Sequence, residues 1–287
     1  MKEFPCGLRR LRRAALVAAA FAGHRVFAQD APAAAGEPPT LLPKMTVVGQ
    51  LLKDYPMFPK KDVKPPGFSD SSPPLDLFYP GQAYNEGVTE GDATVGVMLD
   101  EKGRPTDFLL LRYTRKYFGD ALLAQARQQD YAPRRVQGVA VPGRFNFGYR
   151  FVPTFVLPMN SFNAIEQRTQ SIEGGPRMEY EPHLERELDG GALESTAGAV
   201  ALLPDGYAAP KGKAVKAFVS FYVDETGRVR LPNVESAAAP VLVPNALKAV
   251  AHWHFKPPTV QGRPVLVFTL WTVTFVPAGS GPPELRP

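Results

Sequence analysis

Ala93, Val95, Val97 and Leu99 alternate with other residues, the two-residue period of a strand with one face buried. Asp100-Glu101-Lys102-Gly103 follows and predicts a hairpin: Asp opens a type I turn, and Gly takes the left-handed position that closes it with a bulge. A second strand is expected over about 105–113. Leu122, Leu123 and Ala126 then fall at helical spacing, with Asp120 as N-cap of a short helix over 121–129 that Pro133 stops. The last alternating run is Phe145, Phe147, Tyr149 and Phe151, which places four aromatic rings on one face of a final strand.

The series recurs 124 residues later without a gap. Leu99-Asp100-Glu101-Lys102-Gly103-Arg104 lies over Val223-Asp224-Glu225-Thr226-Gly227-Arg228, Tyr131-Ala132-Pro133 over Phe255-Lys256-Pro257, and Val136-Gln137-Gly138 over Val260-Gln261-Gly262. Phe151-Val152-Pro153 lies over Phe275-Val276-Pro277. Ala217, Val219, Phe221 and Val223 repeat the first strand; Asn245 caps a helix over 246–254 with Leu247, Val250 and Ala251 as its apolar face, stopped by Pro257; Thr269, Trp271, Val273 and Phe275 repeat the last strand. A fixed internal period means two copies of one unit. The predicted fold class is α+β: two small modules, each a three-stranded antiparallel sheet with a helix packed on one face. An order that sets the last strand beside the second leaves the last strand on an edge, with backbone N–H and C=O groups free to pair with another extended chain.

The ends of the chain read differently. Arg9, Arg10, Arg12 and Arg13 precede a ten-residue apolar run, Ala14 to Gly23, and Val26-Phe27-Ala28 offers a cleavage site before Gln29. The run is short of the roughly 20 residues a membrane helix needs. Residues 1–28 are therefore expected to be a cleaved signal peptide, which makes the protein exported and periplasmic; a retained signal would anchor it in the inner membrane. Of 33 basic and 28 acidic residues the signal carries six and one, so the remainder holds 27 of each, and a basic nucleic-acid surface is not expected. The one cysteine, Cys6, leaves with the signal, which removes disulfide and thiolate chemistry. The remaining boundaries read as a Pro-rich linker or tail over 29–77, module one over 78–154, a connector over 155–200, module two over 201–278 and a flexible tail over 279–287.

The ordered set of a V-D-x-x-G-R hairpin, an aromatic-x-Pro after a short helix and an x-Q-G-x-x-V strand resembles the TonB C-terminal domain family. The closer match is the second copy, with Val223-Asp224-Glu225-Thr226-Gly227-Arg228, Trp253-His254-Phe255-Lys256-Pro257-Pro258 and Gly262-Arg263-Pro264-Val265. The first copy has Pro80, Ala83 and Gly87 ahead of its first strand, like the family's leading short helix, and Gln129-Asp130-Tyr131 where the family favours Trp-x-Phe. The resemblance implies binding without catalysis. Such domains pair an edge strand with an extended segment of an outer-membrane TonB-dependent transporter, with main-chain ladders giving affinity. Carried onto this sequence, the partner-binding residues are Arg144, Phe145, Asn146, Phe147, Tyr149 and Arg150 in the first copy, and Phe268, Thr269, Leu270, Thr272, Val273 and Thr274 in the second. The alternative is an envelope scaffold whose modules pair with each other and have no transporter partner.

Other candidate chemistry is thin. His252 and His254 do not share a helix face, and His183, the other histidine beyond the signal, lies in the connector, so no metal site is expected. Glu179, Glu181, Glu185 and Glu187 bracket His183 in a Gly-bounded stretch without apolar periodicity, which reads as a solvated loop and not an acid–base site. No cofactor or small-molecule substrate is indicated. Leu42-Pro43-Lys44-Met45-Thr46-Val47-Val48-Gly49 is the one tail segment with strand character, a candidate for adding to a module's edge within the chain.

Overall fold

In a computed structural model of the protein, which describes residues 58–153, 177–209 and 214–277, the first alternating run is the middle of a sheet. The signal, Leu42–Gly49, connector residues 154–176 and the tail 279–287 lie outside the described residues. The first half of the described chain runs β1 (Val63–Lys64), β2 (Gly67–Phe68), α1 (Gly81–Asn85), β3 (Gly91–Leu99), β4 (Pro105–Tyr113), α2 (Lys116–Ala126), β5 (Tyr131–Ala132), β6 (Arg134–Val136), β7 (Val139–Val141) and β8 (Gly143–Phe151). The second runs β9 (His183–Leu184), β10 (Ser195–Ala197), β11 (Ala201–Leu202), β12 (Lys216–Val223), β13 (Val229–Ala237), α3 (Val243–Val250), β14 (His254–Phe255), β15 (Thr259–Val260), β16 (Arg263–Pro264) and β17 (Val267–Val276). The class is α+β, with sheet predominating.

The long strands are ordered β4-β3-β8 and β13-β12-β17, so the last strand pairs with the first and not with the second as expected. β4 and β8 are both antiparallel to β3, hence parallel to each other. Parallel strands need a long crossover, and α2 with the segment after it supplies one across β3. Among the described residues β8 ends on an edge as expected, whereas β17 also pairs with β9 and β11 on its outer side. The two registers repeat, Leu99 facing Gly143 as Val223 faces Val267.

Both hairpins form from the same bonds. Asp100 Oδ1 accepts the N–H groups of Lys102 and Arg104, both at 2.8 Å, and Asp224 Oδ1 those of Thr226 and Arg228, both at 3.0 Å. Gly103 and Gly227 sit at φ +81° and +83°, and a Cβ there would strike the carbonyl oxygens of Tyr131 and Phe255, residues themselves 124 apart. Gln137-Gly138 and Gln261-Gly262 each have two successive positive φ values, the geometry of a tight hairpin turn whose twist matches its strands.

The helices start earlier than expected. α2 begins at Lys116, and Asp120 lies inside it, ion-paired to Lys116 at 2.7 Å; α3 begins at Val243 after a 3₁₀ turn, and the Asn245 amide donates to the Leu202 carbonyl at 2.8 Å. Burial of Phe118 in one first turn, and of Leu242 and Val243 at the other, overrides local capping preference. The helix-facing cores follow the alternation: Ala93, Val95, Val97, Leu99, Phe147 and Phe151 pack on Phe118 and Leu122, while Phe221, Trp253, Phe255 and Trp271 form an aromatic cluster in the second repeat. Complete burial of side chains this size is worth about 1.5–3 kcal/mol each.

The two sheets meet through their other faces, and all described residues belong to one compact unit. β13 crosses the first sheet strand by strand. Arg230 binds Asp107 of β4 at 2.6 and 2.8 Å, Leu231 covers Gly96 of β3, and Asn233 reaches Arg144 of β8. A Cβ on Gly96 would lie 2.3 Å from Leu231 Cδ1, and Leu231 itself is fully buried at φ +48°. A further tie is Tyr180, which stacks on Tyr113 at 5.2 Å and donates its hydroxyl to Glu225 at 2.6 Å.

Gly96→Val is expected to lower stability by about 1–3 kcal/mol through overpacking at this crossing, read as a fall in the thermal midpoint. Burial pushes the Asp224 carboxyl up, but the Thr226 hydroxyl, the N–H groups of Arg228 and Thr226 and the Arg230 guanidinium outweigh it and hold the group below the usual carboxylate range. A lowered folded pKa contributes stability above the unfolded value of about 3.9 that is lost as pH falls through the folded value. The stability gap between the wild type and Asp224→Asn in urea titrations should therefore narrow as pH is lowered from about 5 toward 2.

Candidate binding edges of the two final strands

Which backbone groups each final strand presents follows from single bonds. The Arg144 N–H points away from β3 and is accepted by Asn233 Oδ1 at 3.3 Å. Antiparallel alternation then turns Asn146, Gly148 and Arg150 outward as well, with Phe145, Phe147 and Tyr149 facing β3. Among the described residues no strand pairs with the outer edge of β8. Phe145, Phe147 and Tyr149 turn their rings to the helix side, where Phe68 packs edge-on against Phe145 and Phe147 at 5.2 and 4.9 Å. Asn146 is exposed and hydrogen-bonded with the buried Tyr222; Arg150 is 62% exposed and paired with Glu90.

The second edge is strapped. Phe275 donates to the Val215 carbonyl, so Val273 and Trp271 also bond toward β12, and Leu270, Thr272 and Thr274 face outward. β9 adds in parallel at Val267 and Phe268, and β11 adds in parallel at Phe275 and Val276. Glu185 fastens the strap by accepting from the Thr269 hydroxyl and, at 2.9 Å, from Trp271 Nε1. Of the six residues expected to bind a partner here, Phe268 is paired to Leu184, Thr269 is held by Glu185, and Val273 is buried with its N–H toward β12. Among the described residues the open stretch is a notch at Leu270, Thr272 and Thr274, blocked at both ends by β9 and β11.

The strap comes from the segment read as an irregular connector. The same holds upstream of the first repeat, where β1 and β2, within the expected linker, pair with β6 and β5. Asp189 shows how the connector is held: its carboxylate accepts the N–H groups of Gly262 (2.9 Å) and Gln261 (2.7 Å) and the Thr259 hydroxyl (2.8 Å). The Gly262 N–H first, then the Thr259 hydroxyl and Gln261 N–H, hold that carboxyl below its ordinary value.

A polar cluster lies behind the first edge. Arg144 stacks over Tyr222 and Phe268 at 5.0 and 5.4 Å, donates to Ser220 Oγ at 2.9 Å and the Leu231 carbonyl at 3.2 Å, and stands 3.7 Å from Glu235. Arg134, 6% exposed, donates to Asn233 Oδ1 at 3.2 Å and to the Val234 carbonyl. Burial lowers the Arg134 pKa, Glu235 acts against this, and Arg144 adds repulsion. Asn233 and Glu235 escaped the sequence reading. The available signal was Gly96, an isolated glycine in a strand pattern, which marks close approach of another backbone.

His252 and His254 turn their Nδ1 atoms to the carbonyls of Lys248 and His252, and His183 pairs with Glu187 at 3.0 Å within the strap. Among the described residues no three His, Cys, Asp or Glu side chains converge, and no helix is long and apolar enough to cross a membrane. In comparisons with known proteins the chain matches no family model, no curated protein and no solved structure.

Glu185→Ala is expected to leave the Trp271 indole N–H without its acceptor and to cost about 1–3 kcal/mol. Urea titration followed by tryptophan fluorescence measures it, and hydrogen exchange at Phe268 should accelerate as β9 loosens.

Proposed function

We propose that the protein is a non-enzymatic, exported binding protein built of two TonB-C-like modules, which takes an extended segment of an outer-membrane TonB-dependent transporter onto the outer edge of β8. The observation that carries this reading is the row of outward backbone groups at Asn146, Gly148 and Arg150, which no described strand occupies. Strand addition needs such a row and little else, since the ladder supplies affinity and alternate side chains supply selection. The strapped β17 supports it by contrast: the chain's own segments lie there as a bound strand would lie on β8.

A second reading, an envelope scaffold in which the modules serve each other and no transporter is bound, is favoured by the face-to-face docking of the two sheets. The two readings separate at the edge. Arg150→Pro removes one outward N–H from an edge position that tolerates proline, so it should weaken transporter-segment binding about tenfold with the fold intact, while Arg150→Ala binds within about threefold of wild type. Pull-down of outer-membrane transporters with the three proteins is the measurement. Equal recovery with all three would remove β8 strand addition, and recovery with none would leave the scaffold. Val273→Pro is not a test of binding, because its N–H belongs to the β12–β17 ladder.

A further inference from the structure

Asn233 stands where the open edge begins. Its Oδ1 takes the Arg144 N–H at 3.3 Å and Arg134 Nη1 at 3.2 Å, and its Nδ2 donates to Glu235 at 2.9 Å, so the amide cannot turn without losing three bonds. It is 9% exposed and held in register opposite Ser220 of β12. A strand added to β8 bonds to outward groups two residues apart. The first of these, at Arg144, is already satisfied by a side chain anchored in the other sheet. Among the described residues, the outward groups with no strand partner run from Asn146 to Arg150 and end with the strand itself.

The side chains of the added strand alternate across the same two faces. On the helix side they lie beside Phe147 and Tyr149, members or neighbours of an aromatic core. On the other side they lie beside Asn146 and Arg150, both exposed. Cross-strand neighbours of this kind select by matching character.

Resting on the strand-addition reading, we infer that Asn233 is a register stop: the β8 edge takes an extended segment of about five residues, apolar beside Phe147 and Tyr149 and polar beside Asn146 and Arg150. The second repeat thus sets the length and register of what the first repeat binds.

Capped synthetic peptides of alternating valine and threonine, three, five, seven and nine residues long, are the probes. They are titrated into the full chain and into Asn233→Ala and Asn233→Ser, with hydrogen exchange followed across β8. In the wild type, affinity should climb from three to five residues and then stay level within about twofold, while in the variants it should climb about tenfold further at seven, as one more ladder bond forms. The free variants must show faster exchange at the Arg144 amide, which confirms that the stop is gone in a folded protein. Wild-type affinity that keeps rising past five residues, or equal length dependence with the Arg144 amide released, overturns the stop and leaves strand addition standing. Peptides that protect no β8 amide at any length overturn strand addition and the stop together.

Discussion

The two sheets are joined at a close crossing that only glycine permits. At Gly96 the missing Cβ lets Leu231 descend onto β3, between the contacts of Arg230 with β4 and of Asn233 with β8. Leu231 adopts a left-handed backbone to do so, a conformation that costs of order 1–3 kcal/mol in a residue of this type. Its complete burial returns about 1.5–3 kcal/mol. The two terms nearly cancel, so the crossing acts mainly by fixing geometry. Because β13 meets β4, β3 and β8 in turn, Arg230 reaches Asp107 at one end and Asn233 reaches Arg144 at the other.

Around that crossing the interface is polar at a depth where polarity is costly. Arg134 and Arg144 share one nearby carboxylate, Glu235, whose oxygen also takes bonds from Ser220 and Asn233. Desolvating two guanidinium groups against one carboxylate is not an efficient source of stability. Aromatic faces and backbone carbonyls make up part of the difference. What such a network adds is direction: an apolar interface would let the sheets slide, whereas these bonds admit one register. Asn233 gains its fixed position at the β8 edge from this constraint.

Much of the local structure was legible because it is written in short periods. Two-residue alternation located the long strands, and Asp-x-x-Gly located both hairpins, since each depends on residues within a few positions of one another. Strand order was not, because it is decided by a helical crossover that has no local signature. Helix starts were misplaced for a related reason: Phe118, Leu242 and Val243 are pulled in by partners far along the chain. The two- and three-residue strands at 63–68 and 183–202 are too short to show any period. Of the candidate site, Asn146 and Arg150 were named from the family resemblance, while Asn233 and Glu235 come from another sheet and are near β8 only after docking.

One duplicated unit ends with two unlike edges, and the cause is traceable to a few side chains. On β17, Thr269 and Trp271 offer a hydroxyl and an indole N–H, and Glu185 accepts both, drawing the preceding segment onto the edge. The positions 124 residues earlier are Phe145 and Phe147, which have no donor to offer. They are satisfied by rings instead, with Phe68 packed edge-on against both from the helix side. A carboxylate latch of the Glu185 kind therefore cannot form on β8. Divergence at these paired positions goes with a strapped edge on β17, while among the described residues no strand lies on the outer edge of β8.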